Sequence, residues 1–228
     1  MKQMLLGLLI FNVLAVFSQS SPEFNTTDSR YFEDQMYLGL TYNFLRDIPE
    51  DITQRNLSYG LQGGIIKDIP LNSDRTFAIG IGLGYAVNSY YSNMIASEST
   101  NGLVYQRAAD AIGLKRSKFE THLIELPFEI RWRDSTADEY KFWRVYAGLK
   151  FGYIFGSRFK LVAQDVKYSF NNPDINEFQY GLMLNFGYNT FNIHIYYALN
   201  NLFDNEIVIG NENINAKPLR IGLIFYIL

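Results

Sequence analysis

FQYGLMLNFGYNTFNIHIYYALN, residues 178–200, decides the fold. Read in steps of two, Phe178, Tyr180, Leu182, Leu184, Phe186 and Tyr188 share one side. Gln179, Gly181, Met183, Asn185 and Gly187 share the other. After Asn189 and Thr190 the alternation restarts, with Phe191, Ile193, Ile195, Tyr197 and Leu199 against Asn192, His194, Tyr196, Ala198 and Asn200. Successive side chains of a strand point to opposite faces, so a strict period of two over ~11 residues is a strand. Two such strands joined by two polar residues make a tight hairpin. Strands in soluble sandwiches usually run to about 5–6 residues. Strands of ~10 residues with one apolar, aromatic-ended face fit a transmembrane β-barrel.

The same alternation places strands at about 35–45, 57–67, 76–91 and 117–133, from near 141 to past 155, and at 178–188, 191–200 and 217–228. The connections alternate long and short, with the charged RDIPEDITQRN at 46–56, a turn at 68–75, a long segment at 92–116 and a turn at 134–140. The irregular stretch 157–177 extends the sheet above the membrane, and 201–216 is a further long loop. The expected fold class is all-β, an eight-stranded antiparallel up-and-down transmembrane β-barrel with short periplasmic turns and long extracellular loops. The first and eighth strands pair to close it.

The rest of the chain agrees. Residues 1–18 carry a basic Lys2, an apolar run and a small-residue exit, the pattern of a cleaved signal peptide. Residues 19–34 are polar and read as a flexible periplasmic lead-in; 35–228 form the barrel domain. No cysteine is present, which excludes lipoprotein attachment and disulfides. The formal charge is −3, and removal of Lys2 takes it to −4. That balance argues against a nucleic-acid partner. An exported chain with strand-period apolar faces and no apolar helix after residue 18 points to an outer membrane, because only helices and closed barrels satisfy every backbone group in lipid.

Aromatic positions fit the two interfaces. Trp132, Trp143, Tyr188 and Phe191 flank the short turns; Tyr42, Phe44, Tyr90, Tyr91, Phe155 and Phe178 lie near the other ends.

The inner face carries charge. Glu125, Glu129, Arg131, Arg144, Lys150 and Arg220 all fall on inward parity. An eight-stranded barrel is just wide enough for its own side chains. These residues are therefore expected to fill the lumen as a structural network, with Gly80, Gly82 and Gly84 leaving room for long side chains. Turn geometry places Glu125 opposite Lys150, Glu129 opposite Tyr146 and Trp132 opposite Trp143. Two anions cannot match four cations, so Tyr146, Tyr196 and Asn185 complete the network. Pro127 sits mid-strand, where it cannot donate to the ladder, and calls for a bulge or an inward water.

Catalytic chemistry has little to work with. His122 lies on the apolar parity near the outer end of its strand. His194 lies inside, opposite Asn185, and reads as a hydrogen-bonded lumen residue. No serine or acid partner stands at a readable spacing. No metal spacing, phosphate loop or dinucleotide fingerprint is present, so no cofactor is expected.

The blocks HLIELPFEIRWR (122–133), KFWRVYAGLKFGYIFGSRFK (141–160) and EFQYGLMLNFGYNTFNIHIYYALNNLF (177–203) resemble the PorT family. Its members are eight-stranded outer-membrane proteins linked to the type IX secretion system of Bacteroidota, used for secretion and gliding. LPFEIRW and FWRVYAG are the most specific parts, and the wider family of small Bacteroidota barrels shares the Leu-x-x-Pro and Tyr-x-Gly features. The resemblance implies a non-enzymatic component required for type IX secretion, acting through loops or rim, with no catalytic residues to carry over. The alternative is a generic small barrel for ligand binding, adhesion or porin-like passive transport. The partners expected are outer-membrane lipid, the barrel-assembly machinery and other secretion components. The last strand reads Arg220-x-Gly222-x-x-Phe225-x-Ile227, close to the pattern of a barrel insertion signal carried by Gly222, Phe225 and Ile227.

Overall fold

The computed structural model describes residues 34–54, 56–100, 102–108, 113–134, 142–163, 166–204, 207–210 and 212–227. The expected signal peptide, the lead-in up to residue 33 and most of the 134–140 turn lie outside the described residues.

Thirteen strands are numbered in chain order among the described residues. Eight build the barrel: β1 (Asp34–Arg46), β2 (Tyr59–Pro70), β3 (Phe77–Tyr91), β6 (Leu114–Arg133), β7 (Trp143–Ala163), β9 (Phe178–Tyr188), β10 (Phe191–Ala198) and β13 (Lys217–Ile227). Each pairs antiparallel with its sequence neighbour in this set, and β1 pairs with β13 to close the ring. The remaining five lie in the outer loops: β4 (Met94–Ser99), β5 (Gly102–Arg107), β8 (Val166–Asn171), β11 (Val208–Ile209) and β12 (Glu212–Asn213).

Register fixes the tilt. Partners run from Asp34 to Lys67, Ile81, Phe128, Leu149, Leu182, Tyr197, Leu219 and back to Phe44. The trace returns ten residues further along β1 than it began. A closed sheet with such a stagger has strands inclined at roughly 35–45° to the barrel axis. The β9–β10 turn is two residues, Asn189 and Thr190, as the alternation predicts. Asn189 takes φ 54°, a left-handed conformation that asparagine tolerates.

The lipid face follows the period of two. Met36, Leu38 and Leu40 on β1, and Ile124, Leu126, Phe128 and Ile130 on β6, are exposed, while the residues between them are buried. Trp143 stacks on Phe186 at 5.4 Å and tilts against Tyr188 at 5.3 Å, forming the periplasmic girdle. At the outer rim the hydroxyl of Tyr85 meets His122 Nδ1 at 2.7 Å, and both rings face Phe155. Tyr90 departs from the sequence expectation. It shares parity with Ala86 and Asn88, so it turns into the lumen and is fully buried.

Three further expectations are corrected. The β6–β7 register is two residues away from that expected. Gly152 stands opposite Glu125, Gly148 opposite Glu129, Tyr146 opposite Arg131 and Val145 opposite Trp132. A two-residue slip leaves every side chain on its face, so the apolar pattern that fixes the face cannot fix this register. Pro127 makes no bulge. β3 and β6 lose their pairing between Ile81↔Phe128 and Gly84↔Glu125 and resume it in the same register. Gly82 lies at that gap, where a Cβ would come 2.9 Å from Pro127 Cγ, so glycine makes room for the ring. The bulge falls elsewhere, between His122 and Leu123, where Phe155 is the extra residue on β7. Finally, the stretches 92–116 and 201–216, expected as long loops, carry strands of their own. They contribute a four-stranded sheet in the order β12-β11-β5-β4, with Ile209 beside Tyr105 in a parallel pairing. As expected, the 157–177 stretch extends the wall, through β8 paired to the top of β7.

Candidate functional site

The lumen is stacked in layers. Nearest the periplasm, Arg131 donates to Asp68 at 2.5 Å, to Glu129 at 2.7 Å and to Gln35 at 3.2 Å. Arg133 donates to the other oxygen of Asp68. The Arg131 guanidinium lies 4.4 Å from the centre of the Tyr146 ring and 5.4 Å from that of Tyr226. Gly80 faces this cluster, and a Cβ there would come 2.6 Å from Arg131 Nε. Arg144 stacks over Phe142 at 4.5 Å and Tyr226 at 5.6 Å. Asn185 donates to the Tyr226 hydroxyl at 2.9 Å, and its carbonyl oxygen meets His194 Nδ1 at 2.5 Å. His194 is thus held within the lumen opposite Asn185.

One layer outward, Glu125 accepts from Lys150 at 3.2 Å and from Arg220 at 3.0 Å. Lys150 also donates to Gln62 at 2.7 Å, and Arg220 to Gln179. Tyr196 lies under both cations, 4.5 Å from Arg220 and 5.8 Å from Lys150. Above this, Thr41 donates to Asn43 at 2.8 Å and Asn43 to Asn88 at 3.3 Å. Glu125 and Lys150 do meet, but diagonally, because Pro127 occupies the position directly opposite Lys150. Lysine's reach spans the offset.

All six charged residues singled out in the sequence are buried in this network. Asp68 and Arg133 belong to it and were missed. Asp68 continues the inward series Gln62, Gly64, Ile66 of β2, and Arg133 continues Glu129, Arg131 of β6. The parity signal was present: the second strand was ended one residue short of Asp68, and the inward series of the fourth was read only as far as Arg131 although the strand itself was drawn to 133. With them, the described lumen holds three carboxylates and five cations. Gly222, Phe225 and Ile227 lie on β13. Gly222 faces inward between Thr41 and His194, and Phe225 packs edge-on against Phe191 at 5.7 Å.

Beyond the bulge the interior changes character. Phe119, Phe159, Tyr105, Phe203, Leu202 and Ile214 pack into one buried cluster with Tyr90 and Met94. Phe119 lies 5.0 Å from Phe159 and meets Phe203 edge-on at 5.2 Å. Tyr105 donates to Asn172 at 2.9 Å and to Asp174 at 3.0 Å. Burial, reinforced by the Asp174 charge, pushes the Tyr105 phenol up, so it stays a neutral donor. Tyr168 donates to the Ala96 carbonyl at 2.9 Å, tying β8 to β4.

A family model described as outer membrane protein beta-barrel domain matches residues 17–204. The crystal structure of Ail, the attachment invasion locus protein of Yersinia pestis, is similar at 12% identity, over 85% of this chain and 97% of that chain, with a TM-score of 0.36. A second Ail structure, in complex with the heparin analogue sucrose octasulfate, is similar at 13% identity over 85% and 96%, with a TM-score of 0.37. No curated protein matches the chain significantly. The barrel resides in the outer membrane.

Proposed function

The chain belongs to the outer membrane protein beta-barrel domain family, and from that premise we propose that it is a non-enzymatic, non-conducting barrel required for protein secretion by the type IX system, and for gliding where that occurs. The filled lumen carries this reading. Its three described carboxylates are committed to four cations, and the tyrosines and amides close the gaps between them. Such a lumen is built to hold a wall rigid rather than to pass solute. The two most specific blocks of the PorT resemblance, LPFEIRW and FWRVYAG, are neighbours on β6 and β7, and they supply Glu129, Arg131, Arg144 and Tyr146 to the lumen and Trp132 and Trp143 to the periplasmic rim. What remains free to meet a partner is the rim and the outer loops. Other secretion components and the barrel-assembly machinery are the partners this reading names.

Deleting the gene in its host and assaying export of type IX cargo tests it. Cargo is expected to be retained in the cell and released again on complementation. Unchanged export would overturn the reading. It would leave the second one, a surface barrel for ligand binding or adhesion, which the ordered outer sheet β12-β11-β5-β4 favours.

A further inference from the structure

The outer wall of β6, β7 and β8 changes chemistry at the His122/Leu123 bulge. Below it the outward residues are Ile124, Leu126 and Phe128; at it stand Tyr85, His122 and Phe155. Directly above, Lys118 and Lys160 stand opposite each other in the register, and Arg158 stands opposite Glu120. Arg116 and Lys167 flank them, both paired with Val162. Because Phe155 is the extra residue, β7 parity reverses there, and even-numbered residues that faced the lumen below now face out.

Five cations thus share one outward face with one carboxylate. Glu120 accepts from Lys118 at 2.5 Å and from Lys160 at 2.9 Å. Among the described residues Arg116, Arg158 and Lys167 form no ion pair with a carboxylate, although Arg158 stands opposite Glu120. Like charges directly opposite across a strand pair are destabilising unless something bridges them, and Glu120 does so for Lys118 and Lys160. Position says what answers the remaining cations. The Arg158 and Lys160 rows lie two and four residues beyond the rim, on the order of 7–13 Å along a tilted strand. That is the depth of the polar interface next to the hydrocarbon. The barrel resides in the outer membrane, so the surface in contact there is the headgroup zone of the outer leaflet.

We propose that this face is a binding site for a phosphorylated lipid of the outer leaflet. The lipid's phosphate bridges Lys160 and Arg158, and its acyl chains lie below against the aromatic rim. The site is independent of the secretion reading, since any barrel with this wall would carry it.

The test uses purified full-length protein in detergent, offered diphosphorylated lipid A, its dephosphorylated form, or inorganic phosphate, with retained lipid counted by native mass spectrometry. Wild type is expected to retain the diphosphorylated lipid and not the dephosphorylated one. Inorganic phosphate should neither bind comparably nor displace the lipid. Arg158→Gln, Lys160→Gln and Lys167→Gln together should cut retention at least about tenfold, while Arg46→Gln on the opposite side of the ring should leave it unchanged. Glu120→Gln, which removes the competing carboxylate, should raise retention. Equal retention by the triple variant, equal retention of the dephosphorylated lipid, or displacement by inorganic phosphate would each overturn the proposal. So would a loss of retention in Glu120→Gln as deep as in the triple variant, which would indicate general destabilisation.

Discussion

The barrel is two proteins in one continuous sheet. In lipid its outside is apolar and its inside ionic; beyond the bulge its inside is apolar and its outside charged. The same strands, β6 and β7, build both parts. Below the bulge, β7 turns Lys150 and Tyr146 inward and Leu149 and Phe151 outward; above it, Phe159 and Leu161 point in and Arg158 and Lys160 point out. One extra residue, Phe155, performs the exchange. A bulge costs a ladder hydrogen bond and turns the strand. Here it lets one chain satisfy two solvents, which shows that the pattern of faces follows the medium rather than the sheet.

The largest effect is expected where both parts are broken together. Deleting 221–228 removes most of β13, leaving β1 and β10 as open edges in lipid. Insertion should be abolished, seen as loss of the protease-resistant, heat-modifiable barrel. An inserted, protease-resistant truncation would show that Gly222, Phe225 and Ile227 carry no assembly information.

Next comes the ionic interior. Glu125→Gln leaves Lys150 and Arg220 facing each other without a carboxylate. Removing one partner from a buried pair costs about 3–5 kcal/mol. Adding Lys150→Met should recover part of the loss, so the double variant in detergent refolding should cost less than the sum of the singles. Additive costs would mean that the two residues are not coupled.

A comparable cut in the apolar interior should behave differently. Phe119→Ala removes a ring that touches Phe159, Phe203 and Tyr105, at a cost of about 3–5 kcal/mol. The loss should be local. Limited proteolysis is expected to open the outer segments around β4 and β5 while the lipid-spanning barrel stays intact. Unfolding of the whole barrel at once would mean that the two parts are a single cooperative unit.

The smallest effect concerns the charged outer wall, beyond the lipid-facing band. Burial alone would raise the Glu120 pKa, but the ammonium groups of Lys118 and Lys160 outweigh it and hold it down at about 2. A depressed carboxylate stabilises the fold at pH values above its ordinary range. The contribution therefore fades as pH falls from about 4.5 towards 2. Glu120→Gln should cost less than about 1 kcal/mol at neutral pH and progressively less as pH falls through about 2. A difference that grows on acidification would contradict the assignment.

The lipid-facing half was legible from residues alone, because lipid forces a strict alternation on every strand it touches. The strand count, the inward Glu125, Glu129 and Arg131, and the pairing of His194 with Asn185 all follow from parity. Register was not legible at β6–β7, since a slip of two preserves parity. Above the membrane the signal disappears for a physical reason. Neither face of β4, β5 or β11 meets lipid, so nothing imposes alternation, and segments such as MIASES at 94–99 read as loop. Tyr90 was misplaced because an aromatic near a strand end suits either the girdle or the plug, and only its parity with Asn88 distinguishes them.

The central claim is that the ionic interior closes the barrel. Recordings of the refolded full-length protein in planar bilayers test it most directly. The account predicts a silent bilayer at both polarities, with insertion verified independently by protease protection. Steady ion-sized steps from the native protein would contradict it, and would favour a passive pore over a secretion component.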